Sequence, residues 1–184
     1  DAIFTIPKDV MLSDVVKAID GLDLKISDKD MMGDVYEYCL SKLSTSKVNG
    51  QFRTPRHIIN MMVEMAQPKL DDIISDPAMG SAGFLVSSAN YVMKHYKNEL
   101  MDMKKFEHFN KTMFNGYDTD PTMLRLGAMN TTLHGVASPN ISYMDSVSKD
   151  NDDEMKYTLV LANPPFKGTV NDKTIHANLK AMVN

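Results

Sequence analysis

From Asp71 onward the sequence alternates between short apolar runs and helix-length stretches, and each apolar run is closed by a polar residue. "DDIISDPAMGSAGF" carries a short β run, Ile73-Ile74-Ser75, ending at Asp76, and "FLVSSANYVMKHY" (84–96) reads as the helix after it. "TMFNGYD" (112–118) is a second strand. Asp120-Pro121 then supplies an N-cap and a first-turn proline for the helix "TMLRLGAMNTTLHG". "NISYMD" (140–145) is a third strand and "YTLVLAN" (157–163) a fourth. Strand–helix–strand order implies parallel strands joined by right-handed crossovers, and so an α/β fold with an open, doubly wound, mostly parallel sheet. Ligands of such sheets sit beyond the C-terminal ends of the strands. Asp76, Asp118, Asp145 and Asn163 all fall at those ends.

The first 50 residues read differently. Helical patterns cover 8–20 and 30–45, the second placing Val35, Tyr38, Cys39 and Leu43 along one stripe. "STSKVNGQFRTPRH" breaks that pattern, and Thr54-Pro55 predicts an N-cap and first-position proline for a helix from Arg56 to about Gln67. The expected organisation is an N-terminal helical segment, 1–50, followed by one α/β domain, 51–184.

Bulk properties remove several classes. A net charge of −4 argues against holding nucleic acid by overall charge, though not by a local basic patch. Cys39 is the only cysteine, which excludes an internal disulfide and a cysteine-based metal site. The histidines lack metal-ligand spacing, and His134 lies in an apolar helical stretch where a structural role is expected. No apolar run is long enough to cross a bilayer and no signal peptide is recognisable, so a cytoplasmic protein without membrane contact is expected. Between Glu37 and Glu64 no acid occurs while Lys42, Lys47, Arg53 and Arg56 do. That run is either a solvated face or a positive edge turned toward DNA or a carboxylate. The acidic "KDNDDE" loop (149–154) reads as a solvated connection.

The strand tips suggest chemistry. Asp76-Pro77-Ala78-Met79-Gly80-Ser81-Ala82-Gly83 is a glycine-containing loop that opens a helix. Such a loop is either a tight turn or a place where a ligand approaches the backbone and the helix N–H groups. It is neither G-x-G-x-x-G nor a phosphate-binding P-loop, which points away from a dinucleotide or a triphosphate. A carboxylate at Asp118 suits two vicinal ribose hydroxyls, and one at Asp145 suits an adenine amino group; each is otherwise a solvated loop acid. Asn163-Pro164-Pro165-Phe166 follows the fourth strand. The Asn163 side-chain oxygen and a backbone carbonyl freed by the prolines make two fixed acceptors for the two N–H groups of an exocyclic amine. Holding both would free the nitrogen lone pair for attack, and Phe166 offers a ring face for stacking.

Taken together, these segments resemble the amino-methylating DNA methyltransferases that use S-adenosylmethionine. "DPAMGSAGF" is similar to their first cofactor motif and "NPPF" to their catalytic motif. "NGQFRTPRHII" and "GYDTDPTMLRLGAMNTTLHG" resemble most the modification subunits of type I restriction–modification systems, adenine-N6 methyltransferases. The likeness covers roughly 30–180. It implies a class I methyltransferase, Rossmann-like fold. It further implies that Gln51, Phe52, Arg53, Thr54, Pro55 and Arg56 close over the methionine end of the cofactor, with Thr54 toward its carboxylate. Ala78, Gly80, Ser81 and Ala82 would line methionine and ribose above Asp76, Asp118 would hold the ribose and Asp145 the adenine. Asn163, Pro164, Pro165 and Phe166 would take a target adenine flipped from double-stranded DNA. Implied partners are a specificity subunit, a restriction subunit and a second modification subunit. Because 18 residues follow Phe166, the chain is expected to be part of a larger subunit, with a sheet incomplete at its C-terminus and little activity by itself. Cytosine-N4, RNA or protein-glutamine methylation remain open, as does a silent assembly module; the glycine pattern opposes a nicotinamide oxidoreductase.

Overall fold

The computed structural model describes residues 9–20, 33, 35–36, 38, 54–165 and 174–182. Four short strands form one parallel sheet: β1 (Ile74–Asp76), β2 (Phe114–Asp118), β3 (Asn140–Tyr143) and β4 (Leu159–Val160), in the order β3-β2-β1-β4. The helices are α1 (Asp9–Asp20), α2 (Arg56–Ala66), α3 (Gly83–His95), α4 (Met103–Lys111), α5 (Pro121–Leu133) and α6 (Ala177–Met182). The registers are parallel throughout, with Ile74 beside Phe114 and Leu159, and Asp118 beside Tyr143. From β1 the chain steps outward to β2 and β3, then returns to place β4 on the other side of β1. The direction of winding therefore reverses between β1 and β4, the position at which open α/β sheets bind ligands.

Ile74, Ser75 and Asp76 are 0%, 2% and 1% exposed. Successive strand side chains point to opposite faces, so three in a row can be buried only if both faces of β1 are covered. That is the doubly wound arrangement expected from the alternation. The main core joins Ile74, Leu85, Val92, Phe109, Met113, Phe114 and Val136. Phe109 and Phe114 meet edge-to-face with centroids 5.2 Å apart, worth about 0.5–1.5 kcal/mol beyond area burial. A second cluster, Ile59, Val63, Phe84 and Leu161, seats α2 against α3 and the end of β4. There Gly83 leaves no room for a side chain, since a Cβ would lie 2.8 Å from Ile59 Cδ1.

Several local expectations are corrected. The β1–β2 crossover contains a second helix, α4, that the apolar pattern did not mark; Asp102 caps it, accepting from the Lys104 and Lys105 N–H groups at 3.0 and 3.1 Å. Helix α2 has Pro55, not Thr54, as its N-cap residue, with no side-chain cap bond. Gly33, Val35, Tyr36 and Tyr38 are helical as read, but Val35 and Tyr38 are exposed. The buried side of that turn is instead the one carrying Gly33 and Tyr36, three residues apart and hence on one face. Tyr36 donates to the Leu126 carbonyl at 3.2 Å, and a Cβ on Gly33 would fall 2.6 Å from His134 Nε2. His134 packs there as a structural residue, its Nδ1 2.8 Å from the Asn130 carbonyl. Cys39 and Leu43 lie outside the described residues.

The acidic loop is also more than a solvated connection. Asp153 accepts from the Tyr157 hydroxyl and from Lys156 Nζ, the latter at 2.5 Å, and Tyr157 in turn meets the Tyr117 hydroxyl at 2.5 Å. The hydrogen bonds from Lys156 and Tyr157 hold the Asp153 carboxyl below the usual carboxylate range. The loop is thereby pinned to β2 by a tyrosine pair.

Candidate functional site

The loop between β1 and α3 has a shape that its own sequence does not enforce. Gly80 has φ 52° and Ala82 φ 63°. Glycine takes that left-handed region freely, whereas alanine adopts it at a cost of about 1–2 kcal/mol. Contacts from distant segments hold it. Ser146 Oγ donates to the Pro77 carbonyl at 2.5 Å and the Met79 N–H donates to the Tyr117 carbonyl at 3.0 Å. The Gly80 N–H donates to Asp118 Oδ2 at 3.0 Å, and Asn130 Nδ2 donates to the Ser81 carbonyl at 2.8 Å. Met79 fills a slot left by two glycines: a Cβ at Gly116 would lie 2.5 Å from its sulfur, and one at Gly127 2.9 Å from its terminal methyl. In front of Gly80, by contrast, a Cβ would meet nothing within 4 Å. The loop is braced behind and open ahead.

Two carboxyl groups sit beneath it with different characters. Asp118, half-buried at the end of β2, accepts the Gly80 N–H on one oxygen and the Asp120 N–H at 2.8 Å on the other. Each carboxylate oxygen has two lone pairs, so one on each remains for hydroxyl donors. Asp76, buried at the end of β1, has a single N–H contact, from Ala78 to Oδ1 at 3.2 Å. Burial pushes its carboxyl up from 3.8 to about 7; the Ala78 N–H opposes this and the negative Asp118 adds to it. Near neutral pH Asp76 is divided between a neutral acid and an anion that a neighbouring cation would favour.

Across the switch point, Leu161 N–H still pairs with the Ser75 carbonyl at 3.0 Å, and Asn163 follows two residues later, half-buried. Its Nδ2 donates to Thr54 Oγ1 at 2.8 Å. Pro164 and Pro165 are exposed. The structure thus brings Thr54, at the approach to α2, onto the catalytic-loop candidate, while Asp76, Ala78, Gly80, Ser81, Ala82 and Asp118 form the β1–α3 side. Arg56 begins α2 on the exposed surface. Asp145 is exposed, its Oδ1 accepting from the Val147 N–H at 3.2 Å, and lies two residues beyond β3. Gln51, Phe52, Arg53 and Phe166 lie outside the described residues.

Sequence reasoning missed Asn130 and Ser146, the two side chains that grip the loop's carbonyls. A buried asparagine in the apolar stretch "LGAMNTTL" was the available signal for the first; nothing marked the second. Among the described residues no cluster of three or more His, Cys, Asp or Glu side chains could hold a metal ion. Among them, too, no helix is long and apolar enough to cross a membrane.

Comparison with known proteins gives this geometry a family. The model of the N-6 DNA methylase family matches residues 27–182. The chain is 33% identical over 156 residues to the type I restriction enzyme HindI methylase subunit of Haemophilus influenzae, covering 83% of this chain and 32% of that one. It is 36% identical over 152 residues to the type I restriction enzyme MjaIX methylase subunit of Methanocaldococcus jannaschii, covering 82% and 24%. Among solved structures, the type I restriction-modification system methyltransferase subunit from Streptococcus thermophilus superposes with a TM-score of 0.64 at 25% identity, over 85% of this chain and 32% of that one. The chain spans about a third of the length of the first curated relatives it matches. With a match over most of its residues, and the strand-tip loop and Asn163 on either side of the switch point, the chain belongs to the N-6 DNA methylase family.

Proposed function

We infer that this chain supplies the cofactor pocket and catalytic loop of a DNA adenine-N6 methyltransferase, the modification subunit of a type I restriction–modification system. The observation that carries this reading is the placement of Asp76 as the last residue of β1 and of Asn163 just past the adjacent parallel strand β4, where the winding reverses. S-Adenosylmethionine fits the β1–α3 side on three counts. Asp118 keeps lone pairs for ribose hydroxyls, the space before Gly80 is open, and Asp76 is a buried acid whose ionised form a sulfonium or ammonium group would stabilise. When bound, that cofactor supplies a methyl group on a positively charged sulfur. Ala78, Ser81 and Ala82 contribute the small-residue wall, and Asp145 is assigned to the cofactor's adenine by family likeness.

The chain's own part in the reaction is positioning. The Asn163 side-chain oxygen and a backbone carbonyl freed by the prolines accept the two N–H bonds of the target amino group, which draws its lone pair out of the ring. Pro164 and Pro165 fix the backbone that carries those acceptors. An adenine inside a duplex cannot reach them, so the base must leave the stack. Phe166 supplies its stacking face, worth about 1–3 kcal/mol. Gln51, Phe52, Arg53, Pro55 and Arg56 are assigned to closure over the cofactor. Double-stranded DNA is the substrate. The specificity and restriction subunits of the same system, with a second modification subunit, are the partners by analogy with the relatives' names.

The test is nucleoside analysis of DNA incubated with S-adenosylmethionine and the full-length protein in its native assembly. N6-Methyladenine is expected, and Asn163→Ala should remove it. N4-Methylcytosine as the product would refute the adenine assignment.

A further inference from the structure

A primary amide is asymmetric. One end carries two N–H donors and the other an oxygen acceptor, and the two ends are nearly equal in size. Asparagine turned the wrong way would therefore fit its pocket sterically while presenting N–H groups to an amino substrate, donor against donor. A catalytic asparagine that must accept needs something to fix its orientation.

Thr54 meets that need. Its Oγ1 takes the Asn163 Nδ2–H at 2.8 Å across 109 residues of sequence. The Thr54 side chain is not engaged as a helix cap, because α2 takes Pro55 as its N-cap residue and makes no side-chain cap bond. Pro55 instead anchors the first turn through its carbonyl, which accepts from the Ile58 and Ile59 N–H groups at 2.9 and 3.1 Å. The proline that fixes the backbone beside Thr54 thus also steadies the hydroxyl that holds Asn163. With Nδ2 engaged, Oδ1 is the end of the amide left to accept.

We propose that Thr54 is a positioning residue that holds the Asn163 amide in the one orientation, oxygen outward, able to receive the target amino group. This rests on the adenine-N6 reading above, and it assigns Thr54 a duty beyond the cofactor-carboxylate contact expected from family likeness. A hydroxyl has two lone pairs and one O–H, so accepting from Asn163 leaves its own proton available to a carboxylate.

The experiment measures single-turnover methyl transfer at saturating S-adenosylmethionine on cognate DNA, in the full-length assembly, together with cofactor affinity by calorimetry. Thr54→Val keeps the shape and removes the acceptor; the saturating rate should fall about tenfold. Thr54→Ser should restore it to within about twofold, since the hydroxyl returns. The decisive comparison uses Asn163→Asp, whose carboxylate offers an oxygen whichever way it turns. In that background Thr54→Val should cost nothing further, whereas general structural damage would multiply through. An unchanged saturating rate in Thr54→Val, a loss confined to cofactor affinity, or an equal loss in the Asn163→Asp background would each overturn the proposal. A wild-type assembly that leaves adenine unmethylated would overturn the functional reading, and this inference with it.

Discussion

Substituting Asp76 by Asn tests the electrostatics of the pocket floor directly. The Asp76 carboxyl is pushed up from 3.8 to about 7, chiefly by burial. A group whose folded pKa lies above its unfolded value binds its proton more tightly when folded, so its contribution is greatest at low pH. Stability is fully present below about pH 4 and is lost as pH rises toward about 7. At 1.36 kcal/mol per pKa unit the whole loss is about 4 kcal/mol, most of which falls between pH 5 and pH 8. Asparagine cannot ionise, yet its Oδ1 can still accept the Ala78 N–H that Asp76 holds at 3.2 Å. Its new N–H2 group costs about 1–3 kcal/mol if it finds no partner, and that cost is independent of pH. Asp76→Asn should therefore be less stable than the parent at pH 5 and gain on it by most of that pH-dependent loss, a few kcal/mol on the order of the shift, by pH 8. Urea unfolding of both proteins at the two pH values measures the difference, in which the other titrating groups cancel. Equal pH dependence in the two proteins would show that Asp76 is not a buried, proton-holding acid.

Other consequences are simpler to check. Asp118→Ala removes the acceptor for the Gly80 and Asp120 N–H groups as well as the proposed ribose contact, so calorimetry should show S-adenosylmethionine affinity falling at least tenfold, by about 1.5–3 kcal/mol. Gly116→Ala drives a methyl into the Met79 sulfur and to 2.9 Å from Leu85 Cδ1. The expected loss is about 1–3 kcal/mol in urea unfolding, with some recovery when Met79 is also shortened to Ala. Tyr157→Phe deletes the hydroxyl between Asp153 and Tyr117 and should cost about 1 kcal/mol by the same assay.

Much of the sheet could be read from the chain because its cause is local. β1 and β4 lie in short apolar runs stopped by a polar or turn-forming residue, and Asp120-Pro121 caps α5 in the structure as the sequence predicts, the Asp120 side chain accepting from the Thr122 N–H at 2.7 Å. The order β3-β2-β1-β4, and with it the switch point, follows from crossover handedness only once the strands are paired. What stayed hidden depends on partners far away in sequence. Nothing near Ser146 announces that it will reach Pro77, and a Thr-Pro pair before a helix reads as a cap until Asn163 is found on its hydroxyl. Likewise Asp153 looked like one acid among several in a wet loop, because the two tyrosines that occupy it come from β2 and from the approach to β4. The expected roles of Gln51, Phe52, Arg53 and Phe166 fall on residues outside those described.

The distant bracing of the glycine loop has a consequence for synthesis. Pro77 is not held until Ser146, 69 residues later, has been made, and Thr54 has no Asn163 to grip for 109 residues. At about 5–20 residues per second, the second interval is about 5–20 s. The helices can form locally during that time, but a nascent chain should stay blind to the proposed cofactor until almost all of the sheet has emerged from the ribosome.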